Sequence, residues 1–188
     1  MSIVAMQRSV DGRERLRDQL ARLALVSGQE VRLASGRTSD IYFDMKMAMF
    51  EPETINLIAD AVLGELSKHG AVQVGGLEMG AVPIIAAVVV KSYSSRPVRG
   101  FFVRKTVKSH GTQKKIEGNF DRAAATVLLD DVTTTGGSVL EAVDAVRAAD
   151  GNVAAVITIV DREEGASEAL QRANVPFVAL YTKADFRA

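Results

Sequence analysis

The sequence predicts an α/β fold with a central, mostly parallel sheet flanked by helices. Three observations lead there. From residue 72 onward, short apolar runs of strand length alternate with helix-length apolar stripes, the order in which a parallel sheet is laid down. The run Val127-Leu128-Leu129 is continuously apolar, as a buried strand should be. Polar, glycine-rich segments follow the ends of these runs, and ligands in parallel sheets sit beyond the carboxyl ends of the strands.

The elements follow in order. Leu16, Leu20, Leu23 and Ala24 share one helical face, so residues 11–26 read as a helix, with Gly28 as its stop. Ser35-Gly-Arg-Thr-Ser39 reads as a turn, and 41–44 and 45–49 as extended segments. Met45, Met47 and Met49 alternate, which predicts a common buried side. Pro52 suits a first helical turn, and Ile55, Ile58, Ala59, Val62, Leu63 and Leu66 form the stripe of a helix ending at Gly70. His69, near that end, compensates the helix dipole. Residues 72–75 read as a strand, Gly75–Gly80 as a loop and 81–93 as a buried helix. Strands are expected at 98–103, 126–131, 153–160 and 177–181, and helices at 139–149 and 167–173. No repeat, low-complexity tract or linker interrupts the pattern, so one domain over 1–188 is expected.

Composition narrows the function classes. Of 188 residues, 47% are hydrophobic and 24% charged, the balance of an ordinary globular protein. The formal net charge is zero, which argues against broad binding to nucleic acid or to a membrane surface. With no cysteine, disulfides, thiolate metal sites and a thiol nucleophile are excluded. The N-terminal residues lack a signal-peptide core, and the longest apolar stretch, 81–90, is broken by Pro83 and too short to span a bilayer. A cytoplasmic protein is expected.

The most informative segment is Thr126-Val-Leu-Leu-Asp-Asp-Val-Thr-Thr-Thr-Gly-Gly-Ser138. It is a buried strand ending in paired acids, then a hydroxyl- and glycine-rich turn into a helix. The free amides and positive dipole end of a helix N-terminus favour a phosphate. The acids just upstream suit sugar hydroxyls or a metal-bound polyanion. Phosphate, sugar and Mg²⁺ together imply a phosphorylated ribose. The segment is not a P-loop, because the GxxxxGK[ST] spacing is absent. A second segment, 104–118, carries Arg104, Lys105, Lys108, His110, Lys114 and Lys115 against one acid, Glu117, with almost no apolar periodicity. A polar loop of this length is often a lid. A cationic lid would stabilise a diphosphate leaving group and exclude water as negative charge develops.

The first segment resembles the 5-phosphoribosyl 1-diphosphate (PRPP) signature of type I phosphoribosyltransferases. The second, Arg-Lys-x-x-Lys-x-His-Gly followed by Ile-Glu-Gly, is similar to the lid of the orotate phosphoribosyltransferases. Ser35–Asp44 resembles that family's N-terminal hood, Asp161-Arg-Glu-Glu-Gly165 its Asp-Arg-x-Glu motif, and Tyr181–Phe186 its last strand. The resemblance implies a type I phosphoribosyltransferase fold with a small hood over roughly residues 1–50. It further implies transfer of the phosphoribosyl group from PRPP to orotate, giving orotidine 5′-monophosphate and diphosphate, with Mg²⁺ as cofactor. Asp130 and Asp131 would hold the ribose hydroxyls. Val132, Thr133, Thr134, Thr135, Gly136, Gly137 and Ser138 would wrap the 5-phosphate. Arg104, Lys105, Lys108 and His110 would bind the diphosphate. Thr134 and Arg162 would contact orotate, with Tyr42 and Phe43 flanking its ring. Lys108 and His110, together with Asp130 and Asp131, are the candidate catalytic groups, and a homodimer with the lid shared between subunits is implied. Ala34 and Met79-Gly80 depart from the family pattern, which often has a Lys and a Tyr-Lys pair there, so the leaving group meets fewer fixed cations; Lys46, Lys91 or the extra lid lysines would have to compensate. The alternatives are a phosphoribosyltransferase for a purine or uracil, and a PRPP-sensing regulator with the same fold that binds nucleic acid.

Overall fold

The computed structural model describes residues 3–32, 38–106 and 114–187. The first helix, α1 (Ile3–Leu23), buries Leu16 and Leu20 at helical spacing and begins well before the expected residue 11. It leads into a two-stranded antiparallel ribbon, β1 (Leu25–Arg32) and β2 (Thr38–Phe43), with Leu25 opposite Phe43. The expected turn at 35–39 lies mostly outside the described residues.

The methionine segment is a correction. Met45–Met49 is a short helix, α2, not an extended run. Asp44 caps it by accepting from the Lys46 amide at 3.3 Å. Helical spacing puts Met45 and Met49 on one buried face and turns Met47 outward, 61% exposed. Alternation in sequence is compatible with either geometry, and the Asp44 cap decides for the helix.

Helix α3 (Pro52–Leu66) starts as its proline predicts, with the Glu51 carboxylate accepting from the Thr54 amide at 2.8 Å. A 3₁₀ turn (Ser67–His69) follows and stops at Gly70 with φ of 63°. The main sheet then builds from β3 (Gln73–Gly75), α4 (Ala81–Ser92), β4 (Arg99–Val103), β5 (Ile116–Gly118), β6 (Ala125–Thr133), α5 (Gly137–Ala148), β7 (Asn152–Asp161), α6 (Ala166–Arg172) and β8 (Phe177–Thr182). The strand order is β5-β4-β3-β6-β7-β8, parallel except for β5, which runs antiparallel to β4. Neither β1 nor β5 was anticipated: the polar residues of β5 do not alternate, and its pairing with β4 is a tertiary event.

The period of two in β6 sorts its side chains into two cores. Val127 and Leu129 join Leu16, Ile58, Val62 and Ile84 beneath α1, α3 and α4, whereas Leu128 joins Val139, Val143, Val146 and Leu170 beneath α5 and α6. The chain builds outward from the centre in two directions, β3 to β4 and β6 to β8. The strand order therefore reverses between β3 and β6, and a crevice opens there beyond their carboxyl ends. Among the described residues no helix is long and apolar enough to cross a membrane.

Candidate active site

The crevice is a cleft of about 300 Å³ between two loops. Leu77, Glu78, Met79 and Gly80 follow β3, and Asp130 through Ser138 run from the end of β6 into α5, with Lys105 on the rim. The first loop is stitched to β4 by Glu78 N donating to Val103 O at 2.9 Å and Val103 N to Gly76 O at 2.8 Å. Glu78 in turn accepts from the Lys105 amide at 3.1 Å, which seats Lys105 over the cleft. Gly75 and Gly76 have a packing role. A Cβ on Gly75 would enter the Phe101 ring, and one on Gly76 would meet the Leu129 carbonyl.

The paired acids stand where the sequence put them. Asp130 is buried, and burial followed by repulsion from Asp131 pushes its carboxyl up to about 7. Thr133 donates to its Oδ2 at 3.0 Å. Burial also raises Asp131, against the opposing bond from the Val132 amide to Oδ1 at 2.9 Å. A carboxylate pair largely kept out of water, with Lys105 and Lys46 acting on it only at a distance, is poised to accept hydroxyls or counter-charge. Beyond it Gly136 takes φ of 84°, and α5 begins with no side chain capping its amides. The first amides of α5 lie at the cleft with Thr134, Thr135 and Gly136, and with no intrahelical partner and no side-chain cap they are available to an anion.

Arg162 follows β7. Asp161 stands in register with Thr133, and the Arg162 amide donates to Thr133 O at 2.9 Å, so Arg162 lies alongside Thr134. Its side chain is only 4% exposed. Nη2 lies 2.8 Å from Glu164 Oε1, an ion pair by distance, yet neither Nη2 nor Nε has a hydrogen-bond partner among the described residues. That edge of the guanidinium, where Nε and Nη2 donate in parallel, is the one that grips a planar carboxylate.

Other expected residues are placed differently. Phe43 is 4% exposed and packs edge-on against Phe186 at 5.1 Å, inside the core and not on the cleft. Tyr42, its neighbour on β2, is half-buried. Arg104 does not line the cleft: Nε donates to Glu117 Oε1 at 3.1 Å and the guanidinium lies 5.7 Å over Phe102. Lys108 and His110 lie outside the described residues. Of the candidate compensating cations, Lys91 is held by Asn56 and Asp60. Lys46 pairs with Asp44 at 2.7 Å, which with its hydrogen bond raises the ammonium pKa, and its charge also reaches Asp131. His69 does not line the cleft. Sequence reasoning did not single out Thr158, completely buried opposite Asp130; a lone hydroxyl in the apolar run of β7 was the available signal.

A switch-point cleft with paired carboxylates at the end of one strand and uncapped helix amides beyond them is the arrangement of a type I phosphoribosyltransferase fold, and the chain falls in that class. No family model matches the chain. It is 45% identical to the orotate phosphoribosyltransferase of Bradyrhizobium sp. (strain BTAi1) over 179 residues, covering 93% of this chain and 96% of the relative. The crystal structure of Mycobacterium tuberculosis orotate phosphoribosyltransferase in complex with Fe(III) dicitrate is similar with a TM-score of 0.83 at 34% identity, covering 94% of this chain and 99% of that one. The same Mycobacterium protein in complex with PRPP gives a TM-score of 0.78 at 31% identity, covering 93% and 98%. The chain therefore belongs to the orotate phosphoribosyltransferase family, glycosyl-transferring enzymes of pyrimidine biosynthesis.

Proposed function

We propose that the cleft binds PRPP with Mg²⁺ and transfers its phosphoribosyl group to orotate, in the cytoplasm and as a homodimer whose lid serves the neighbouring subunit. The supporting observation is the juxtaposition of two features: acids next to uncapped helix amides in the cleft, and, alongside Thr134 though not in the cleft lining, the buried Arg162, whose Nε and Nη2 make no hydrogen bond while Nη2 stands 2.8 Å from Glu164. The first fits a phosphorylated ribose and the second a planar carboxylate, and only a base such as orotate carries one. Hypoxanthine, adenine and uracil would offer Arg162 no carboxylate beyond Glu164 and leave its Nε without a hydrogen bond, which disfavours the purine and uracil alternatives.

Asp130 and Asp131 accept the ribose hydroxyls, and the Thr133–Ser138 loop takes the 5-phosphate. Arg162 orients orotate so that N1 attacks the anomeric carbon as the bond from that carbon to the diphosphate oxygen breaks; the N1 proton is released. The chain supplies no nucleophile. It holds two reactants in line and stabilises opposite developing charges. Lys105, with Lys108 and His110 of the lid and Arg104 swung from Glu117, meets the leaving diphosphate.

The residues fit a magnesium ion carried by the substrate. Asp130, Asp131 and Glu78 line the cleft, yet no cluster of three His, Cys, Asp or Glu among the described residues could cage a metal alone. Mg²⁺ is commonly held by one or two carboxylates plus substrate phosphate oxygens. When bound, it neutralises part of the diphosphate charge.

The test is direct: mix the protein with orotate, PRPP and Mg²⁺ and follow loss of orotate absorbance. Hypoxanthine, adenine and uracil serve as controls, and omission of Mg²⁺ tests the cofactor. Turnover of a control base but not orotate would overturn the reading, and a PRPP-dependent shift of nucleic acid mobility would support the regulator instead.

A further inference from the structure

Behind the acids lies a chain of two hydroxyls, Thr133 and Thr158, and the second has no part in the proposed reaction. Thr158 sits on β7 directly opposite Asp130 and is completely buried. Its Oγ1 lies 2.9 Å from Thr133 Oγ1 and 3.3 Å from the Val160 carbonyl. Thr133 Oγ1, itself 2% exposed, lies 3.0 Å from Asp130 Oδ2. A valine would fill the same space at position 158 without an oxygen to satisfy, in a strand whose neighbours Val156, Ile157, Ile159 and Val160 are all buried and apolar.

From this geometry we propose that Thr158 is a positioning residue for Asp130, acting through the Thr133 hydroxyl to present Asp130 as an ionised acceptor to the ribose of PRPP. Each hydroxyl has one proton and two lone pairs. Thr133 has one proton for two acceptors, Asp130 Oδ2 at 3.0 Å and Thr158 Oγ1 at 2.9 Å. When Asp130 is ionised that proton goes to the carboxylate, and Thr158 turns its own from the Val160 carbonyl at 3.3 Å to Thr133, so both protons point toward Asp130. Bonds aligned in this sense polarise one another and strengthen the last one. Without the Thr158 proton, the Thr133 hydroxyl loses the donor that fixes its rotamer and sharpens its own donation. The ionised carboxylate is then held less firmly against the burial that disfavours it. The titratable groups facing Asp130 are Asp131 on its own strand and Lys105 beyond β4; Glu78 lines the same cleft from the β3 side, and from β7 the facing group, Thr158, does not titrate.

The inference rests on the reading that Asp130 holds the ribose, and the experiment separates the two. Thr158→Val, Thr158→Ser and Asp130→Asn are compared with wild type in PRPP and orotate KM across pH 5.5–9. PRPP's own phosphate titration is common to all four proteins and cancels in the comparison. The expected result is that Thr158→Val raises the PRPP KM roughly 3- to 10-fold, the worth of one hydrogen bond, with little change for orotate. The acid limb of the PRPP profile should move upward in pH, and Thr158→Ser should restore both. Should the valine variant not fold, Thr158→Ala against Thr158→Ser gives the same contrast. A folded Thr158→Val with unchanged PRPP KM and acid limb, beside an impaired Asp130→Asn, overturns the inference; so does an equal loss in Thr158→Ser. Unimpaired PRPP binding in Asp130→Asn overturns the ribose reading itself.

Discussion

Asp130 carries a cost that the fold accepts for its site. Its carboxyl is held near 7 against an ordinary value of 3.8, so the folded state binds this proton more tightly than the unfolded chain. Its contribution to stability is therefore full below about pH 4 and is lost as pH rises toward 7. Above that, the ligand-free protein must bury a charge beside Asp131. Asp130→Asn removes the penalty and should raise the Tm of the ligand-free protein at pH 8 by roughly 2–8 °C, from about 1–2 kcal/mol. The difference should shrink toward pH 4. Thermal unfolding followed across pH checks this, and parallel curves for the two proteins would contradict it. Arg162 presents the opposite case, a buried cation paired by distance with Glu164 but with no hydrogen bond from Nε or Nη2. Arg162→Ala should raise the orotate KM about ten- to a hundredfold, the worth of a charge-assisted pair, and the PRPP KM far less. Steady-state kinetics with each substrate varied decides it, since equal effects would remove Arg162 from the base site.

At the scale of elements, the site exists because the N-terminal end of α4 and the end of β6 approach closely. A Cβ on Gly80 would collide with the Asp131 carboxylate, so glycine at this position is a matter of space and not of backbone conformation. Gly80→Ala should displace Asp131 and raise the PRPP KM roughly tenfold while the circular dichroism of the folded protein is retained. An alanine variant with wild-type PRPP kinetics would mean that Asp131 can rotate away at no cost to binding. The methionine segment teaches the complementary lesson. The sequence predicted a buried side, and Met45 and Met49 are buried, but the Asp44 cap turned the segment into a helix and exposed Met47.

At the scale of the whole molecule, Lys105 faces its own cleft while Arg104, one residue earlier on an extended chain, turns to Glu117 and Phe102. Successive residues of an extended chain point to opposite sides, so the base of the lid presents cations in two directions. If the lid is shared, mixing inactive Lys108→Ala chains with inactive Asp131→Asn chains should restore activity. One site of a mixed dimer then carries both defects and the other neither. Random mixing of equal amounts should return about a quarter of wild-type activity, by counting in a closed two-fold dimer. No recovery despite verified subunit exchange would assign each lid to its own chain.

The sequence by itself determined the alternation of strands and helices from residue 72 onward, the paired acids at a strand end and the glycine-rich entry into α5. Each is a local property: periodicity, a cluster of like residues, a turn composition. Only the tertiary structure decided that β5 reverses against β4, that Phe43 fills the core, that Gly75 and Gly76 are glycines to admit Phe101 and the Leu129 carbonyl, and that Thr158 stands behind Asp130. Those depend on which strands become neighbours and in what register. Pairing between residues far apart in the chain leaves no periodic trace in either partner alone.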